Sequence, residues 1–386
     1  MNLRDYSSVS GRRKALEKSL HLDLKQIGSF TLDEQVASSR NCQNMVGVAQ
    51  VPLGVAGPLK LCQVSGVKCQ EYYIPMATTE GALVASVNRG CKAITESDGA
   101  RVLVYRVGAT RGPVFKVHSM VENEKLYSFV VSHKKDFDTI ARTTSKHLTL
   151  TGVDAHSVGL YQFVRFTFNT QDAMGMNMVT IATQAIASFI EQKTGASCVS
   201  LAGNFDVDKK PSWINFTKGR GFEVWAEVTI PATVLKKDLK TTAAAIYEVW
   251  LAKCMIGSAM AGSLAFNAQF ANVIAAAFLA TGQDMGHVGE GSMGITTAGI
   301  INGKDVYISI YLPDLMVGTV GGGTGLATQQ EALKLLGVAG GNEGNNSQEF
   351  AEIIAGSVLA GEISLLASLS EGTLARAHKT LARGSK

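Results

Sequence analysis

RVLVYRV (residues 101–107) and LYQFVRFTF (160–168) are runs of β-branched and aromatic residues, and the segments around them decide the architecture. YSFVV (127–131) reads as a third strand-like run, and after Asp172 the pattern turns helical to about Gln192. A block of strands with one or two helices, set inside a longer chain, predicts an α+β protein with a smaller unit inserted into a larger one. Upstream, RRKALEKSL (12–20) has the spacing of a short amphipathic helix. VPLGVAGPL (51–59) is punctuated by Pro and Gly and must be extended or turning, and Thr78 is placed to cap a helix that runs to Ile94. Downstream, FEVWAEVTI (222–230) predicts a strand, 240–280 helices, 293–299 and 305–311 short strands, and 347–369 and 373–382 closing helices.

With 386 residues, 46% hydrophobic and 18% charged, the chain has enough apolar material for a large core and is not disordered. A net charge of +4, without any run of five or six like charges, argues against nucleic acid as a partner. Six cysteines without C-x-x-C spacing read as reduced thiols in a reducing compartment. The seven histidines show no i,i+4 pair and no H-E-x-x-H, so no metal is expected. Cys254 to Gln283 carries no charge and is long enough to span a bilayer. Its Ser258, Ser263, Asn267, Gln269 and Asn272, with much Ala and Gly, instead point to a buried core helix pair. The N-terminal segment lacks the apolar stretch of a secretory signal. The expectation is a soluble protein of the cytoplasm or an organelle matrix, with no membrane partner.

Five places are able to carry chemistry, and each has an ordinary structural explanation when taken singly. GTVGGGTG (318–325) would cradle a phosphate at a helix N-terminus, yet it fails the G-x-G-x-x-G spacing of a dinucleotide fingerprint and also suits a tight packed turn. Asp208, Lys209 and Lys210 form a charged knot between apolar segments, which is a solvated loop or an ammonium poised over an oxyanion. Glu80 falls in the first turn of the helix read there, where acids suit the macrodipole. Asp284, in GQDMGHVGEG (282–291), fits a helix-ending turn. His378, with Leu374 and Leu381 beside it, fits a core histidine.

Taken in order, PMATTEGALVASVNRGCKAI (75–94), DAMGMNMV (172–179), GNFDVDKKPSWIN (203–215), IGSAMAGSLAFNAQFAN (256–272), GQD (282–284) and GTVGGGTGLATQQ (318–330) resemble the motifs of the 3-hydroxy-3-methylglutaryl-coenzyme A reductases, from about Arg12 to Ala382. The likeness is to the class I, NADPH-using branch. It implies reduction of the HMG-CoA thioester to mevalonate and free CoA by two hydride transfers, as a step towards isoprenoids. It implies a large substrate domain, 1–112 and 201–386, and an inserted ferredoxin-like NADP-binding domain, 113–200. It also implies a homodimer or homotetramer with sites at the subunit interface, where QNMVG (43–47) matches an interface motif.

The catalytic residues implied are Glu80, Lys209, Asp284 and His378. Substrate would be held by Arg111, Asp208, Lys210, Lys253, Asn272, Asn88 and Arg89, with Asn88 and Arg89 facing CoA. The nucleotide would meet Asp172, Met174, Gly175, Asn177, Gly321, Gly322, Gly323 and Thr324, and its 2′-phosphate Ser145 and Lys146. The chemistry assigns a cation to the alkoxide left by the first hydride, a near-neutral imidazole to the departing thiolate, and a carboxyl to the final alcohol. For that last task Glu80 is expected to have its pKa raised by burial and by Asp284. Ala202, Gln269 and Ala377 depart from the pattern, as does Gly384, which stands where regulated relatives carry a phosphorylated serine. Two alternatives stay open: an NAD-dependent class II enzyme run towards degradation, and a non-catalytic binding protein on the same scaffold.

Overall fold

A computed structural model describes residues 3–64 and 69–372. Eleven strands form a continuous sheet system: β1 (Leu53–Gln63), β2 (Cys69–Ala77), β3 (Ala100–Arg111), β4 (Val114–Lys116), β5 (Thr149–Val158), β6 (Tyr161–Asn169), β7 (Ser197–Ser200), β8 (Arg220–Ile230), β9 (Ala265–Phe266), β10 (Gly294–Ile301) and β11 (Asp305–Leu315). The principal helices are α1 (Val9–Leu20), α2 (Glu34–Arg40), α3 (Leu83–Glu96), α4 (Met120–Ser132), α5 (Lys134–Thr144), α6 (Met176–Thr194), α7 (Trp213–Lys218), α8 (Ala243–Trp250), α9 (Phe270–Thr281), α10 (Ala327–Leu335) and α11 (Asn345–Ser370).

β3 joins two halves of the sheet. Its first part pairs with β8, and its end, Ala109–Arg111, pairs with β6. Between residues 113 and 200 the strands lie in the order β7-β4-β6-β5, all antiparallel, with α4, α5 and α6 between them. That is the βαββαβ order of a ferredoxin-like unit. It has its own core, in which Phe115, Phe137, Phe166, Phe168 and Ile186 are buried. The larger core lies between the β1–β3–β8–β11 sheet and α3, α9 and α11. In β8 the period-two pattern is plain: Phe222, Val224, Ala226, Val228 and Ile230 face inward.

Three expectations need correction. YSFVV (127–131) is helical, inside α4, although its composition suits a strand. Ser119 accepts the Glu122 N–H at 3.2 Å and Glu122 reaches back to the His118 N–H at 2.9 Å, so an S-x-x-E start outweighs local β-propensity. Cys62 and Cys69 are not free thiols. They are paired across the β1–β2 hairpin, with Cα atoms 4.0 Å apart, and form a disulfide. Strand pairing brings together residues seven apart, which C-x-x-C spacing does not test. Glu80 lies on the turn before α3, not in its first turn, because the helix begins only after Ala82, at φ 73°. Thr78 caps that turn instead, accepting the Glu80 N–H at 3.0 Å.

The uncharged stretch 254–283 folds as a π-helical run, a tight turn at Gly262, β9 and the buried α9. Among the described residues, the helix long and apolar enough to cross a membrane is α11, and 78% of its most apolar stretch is buried inside the protein. It is the central core helix, and it crosses α3 so closely that a Cβ on Gly90 would lie 1.9 Å from the Ala360 carbonyl oxygen. Gln269, one of the departures from the family pattern, donates to the Gly361 carbonyl at 2.6 Å and ties the start of α9 to this helix. The expected helix 373–382, with His378, Ala377 and Gly384, lies outside the described residues.

Candidate active site

The 206–210 loop enters the site on a backbone that few residues adopt without support. Val207 and Lys209 have φ of 46° and 60°, in the left-handed region. Such conformations persist only where surrounding bonds impose them. Thr110 donates to the Asp206 carbonyl at 2.9 Å, and the Lys209 N–H donates to Glu290 Oε2 at 2.7 Å. The Lys209 ammonium then reaches Asp284, Nζ to Oδ2 2.7 Å. Asp284 follows α9, whose end is turned by Gly282 at φ 73°, and its other oxygen accepts the Gly286 N–H at 2.9 Å. Partial burial pushes the Asp284 carboxyl up, but the Lys209 hydrogen bond, the Gly286 N–H and the nearby charges of His287 and Lys209 outweigh it. The net effect holds Asp284 below its ordinary value.

Behind this pair lies a buried charge network. Arg220 donates to Asp208 at 2.9 Å and to Glu290, and His287 bonds Glu290 through Nδ1. Arg111 contacts Asp206 at 3.2 Å and Asp208 at 3.8 Å, and burial raises the Asp206 carboxyl despite that cation. Asp208, His287 and Glu290 bring their ligand atoms within 4.8 Å of one another, as a cation site would. The Arg220 guanidinium, bonded to both carboxylates, already supplies the positive charge there.

A cleft of about 680 Å³ opens in front of the network. Arg111, Asp208, Lys209 and Asp284 line one side. Met174, Gly175 and Asn177, at the start of α6, and Gly321–Thr324 also line it. The glycines of that loop have distinct tasks. Gly282 and Gly323 pack backbone to backbone, and a Cβ on either would come within 2.4–2.5 Å of the other's carbonyl oxygen. Gly321 and Gly322, at φ 81° and 56°, have nothing within 4 Å of a Cβ position, so their backbone faces open space beside the cleft. A phosphate or ribose is able to approach such a surface.

Of the other expected residues, Asp172 is buried beneath the loop and faces backbone. It accepts N–H groups of Asn342, Gly344 and Ser347 at 2.5, 2.8 and 2.9 Å, while its own carbonyl accepts the Thr319 N–H at 2.8 Å. Burial alone would raise its carboxyl. Those N–H donors outweigh burial and lower it. Glu80 accepts from Asn272 at 3.3 Å but is exposed, so burial within one chain does not supply the environment expected for it. Arg89 points to α11, donating to Ser364 and Ser368, and Asn88 accepts the Gly57 N–H. Lys210 holds Asn204 and the Asp208 carbonyl, each at 3.2 Å. Lys253 is exposed on the π-helical run Leu251–Gly257, and Ser145 and Lys146 follow α5, outside the cleft lining. Sequence reasoning did not single out Glu290, His287, Arg220, Arg40 or Asn41. His287 and Glu290 stand three and six residues after Asp284, a spacing visible in GQDMGHVGEG; Arg40 and Asn41 reach the cleft rim from the end of α2 and left no local signal.

The family model for hydroxymethylglutaryl-coenzyme A reductase matches residues 8–383. The chain belongs to that family. The 3-hydroxy-3-methylglutaryl-coenzyme A reductase of Methanothermobacter thermautotrophicus is 47% identical over 379 residues, covering 98% of this chain and 94% of the relative. That of Pyrococcus abyssi is 48% identical, over 96% of this chain and 92% of its own. Reductase 1 of Hevea brasiliensis is 41% identical over 97% of this chain and 66% of the plant protein. The solved class II reductase of Streptococcus pneumoniae, bound to NADPH, shares the fold with a TM-score of 0.69 at 18% identity, covering 95% of this chain and 98% of its own. The enzyme therefore reduces hydroxymethylglutaryl-CoA to mevalonate and CoA, the reaction that opens the mevalonate route to isoprenoids.

Proposed function

We propose that the enzyme is the biosynthetic, NADPH-using form, and that the Lys209–Asp284 ion pair works at the reacting carbonyl of the substrate. The observation that carries the catalytic part of this reading is the 2.7 Å Lys209–Asp284 ion pair on the wall of a cleft shared with the glycine loop. Two NADPH, bound in turn, would each supply one hydride. The 318–325 loop and the Met174–Asn177 turn hold the nucleotide, with Asp172 anchoring that loop from below. The 113–200 unit serves as the cofactor domain, and Ser145 and Lys146 meet the 2′-phosphate.

Lys209 stabilises the alkoxide that follows the first hydride, at an oxygen where a preorganised ammonium costs no reorganisation. Asp284, kept ionised, holds the Lys209 side chain in place. Glu80 gives the proton that completes the alcohol, and His378 protonates the departing thiolate. Arg111, Asp208, Lys210, Lys253 and Asn272 hold the hydroxymethylglutaryl end, and Asn88 and Arg89 the CoA. A second subunit, docked through the 43–47 segment, closes the side on which Glu80 is exposed. Met45 of that segment is already fixed from within, its carbonyl accepting Arg12 Nε at 2.7 Å.

Changing Lys146 to Glu is expected to lower kcat/KM for NADPH relative to NADH by about tenfold or more, since an acid repels the 2′-phosphate. Steady-state assays with both cofactors test this. Equal kcat/KM for the two in the parent enzyme would count against the cofactor assignment.

A further inference from the structure

We infer that Glu290 and His287 form a buried positioning pair that holds both members of the Lys209–Asp284 ion pair from behind. The inference rests on the reading that the Lys209–Asp284 ion pair works at the reacting carbonyl of the substrate. Glu290 is fully buried, and each of its oxygens has a task. Oε2 accepts the Lys209 N–H at 2.7 Å, fixing the residue at a φ of 60°. Oε1 accepts from Arg220 and bonds His287 Nδ1. One carboxylate thus sets the backbone of the lysine and the plane of the imidazole.

The imidazole acts on the other partner. His287 is fully buried, and its Nε2 has no hydrogen-bond partner. That nitrogen lies 3.9 Å from Asp284 Oδ2, the same oxygen that receives the Lys209 ammonium. The distance is an ion-pair contact, longer than a hydrogen bond. With hydrogen on both ring nitrogens, each N–H faces a carboxylate: Glu290 on one side, Asp284 on the other. With Nδ1–H alone, a bare lone pair would face the Asp284 charge. The other charged groups of this network are Lys209 and Asp208 on the 206–210 loop, Arg220 on β8 and Asp314 on β11, whose carboxyl interacts with Glu290 and Arg220. Gly286 completes the device. A Cβ there would lie 2.7 Å from Lys209 Cδ, so any larger residue would push the lysine stem off the turn that carries both Asp284 and His287.

A double-mutant cycle on the full chain tests this. His287→Leu is expected to lower kcat about 10- to 100-fold, the worth of a charged contact, with the KM for hydroxymethylglutaryl-CoA held within about threefold. His287→Gln keeps an N–H donor at similar volume and guards against a folding failure. It should recover part of kcat while the KM for hydroxymethylglutaryl-CoA stays where it was, a split that a merely structural loss would not give. Asp284→Asn sets the reference. Adding His287→Leu to it should cost no further activity, because the ring acts through that carboxylate. Losses that multiply, or parental kcat in His287→Leu beside a deep loss in Asp284→Asn, would each overturn the positioning role alone. Parental kcat in Asp284→Asn would overturn the reading of the site beneath it, and this inference with it.

Discussion

Replacing Lys209 by Ala is expected to lower kcat about 10²- to 10³-fold while the fold survives, and Lys209→Arg to restore little of it. The expectation follows from how the ammonium is held. Its nitrogen sits 2.7 Å from Asp284 at the edge of the cleft, and the residue's own N–H is fixed by a buried carboxylate. A developing alkoxide therefore meets a cation that needs no rearrangement. A guanidinium is larger and planar, and the lysine stem already passes Gly286 with no room to spare. Loss of the side chain removes only a half-exposed stem, so the melting temperature should move little. Near-parental turnover in the alanine variant, measured as NADPH oxidation at saturating substrate, would show that another cation serves the oxyanion.

The second large effect is on stability. Asp172→Ala should destabilise the enzyme by about 3 kcal/mol, since three N–H groups lose their acceptor and an unmet buried donor costs on the order of 1–3 kcal/mol. In a protein of this size that corresponds to roughly 3–6 °C in melting temperature. The KM for NADPH should rise as well, because the Asn342–Ser347 turn and the 318–325 loop are both anchored at this residue. The pH dependence has a defined sign. The folded carboxyl is lowered, so its contribution is fully present above the unfolded value of about 3.9 and is lost as pH falls through the lower folded value. Acid unfolding of Asp172→Asn should accordingly start from lower stability and depend less on pH than that of the parent. Identical acid transitions would contradict the anchoring role.

Period-two and helical patterns carried most of the architecture because burial in this fold follows them. β3, β6, β8 and β11, the N-terminal α1 and the long α11 all lie where alternation or spacing placed them. Where reading and structure part, the deciding interaction is one that local pattern does not contain. α4 owes its helix to the Ser119–Glu122 start, which outweighs the composition of YSFVV. The Cys62–Cys69 bond depends on hairpin register. At the site, the motifs named Lys209 and Asp284, and the structure brings them together. Glu290, His287 and Arg220 went unnamed because a buried charge earns notice only once its three partners converge from β8, the 206–210 loop and the turn after α9. Glu80 shows the converse. It is legible in the motif, yet in one chain it is exposed, and the proposed second subunit is what would give it the environment its proposed role requires.

The most direct measurement is stoichiometric. Purified enzyme given limiting hydroxymethylglutaryl-CoA and excess NADPH should be followed at once by absorbance at 340 nm, with CoA thiol titrated at the end. The account predicts two NADPH oxidised for each CoA released, with mevalonate as the product. One NADPH per CoA with an aldehyde left behind, or no oxidation above the Lys209→Ala background, would contradict it.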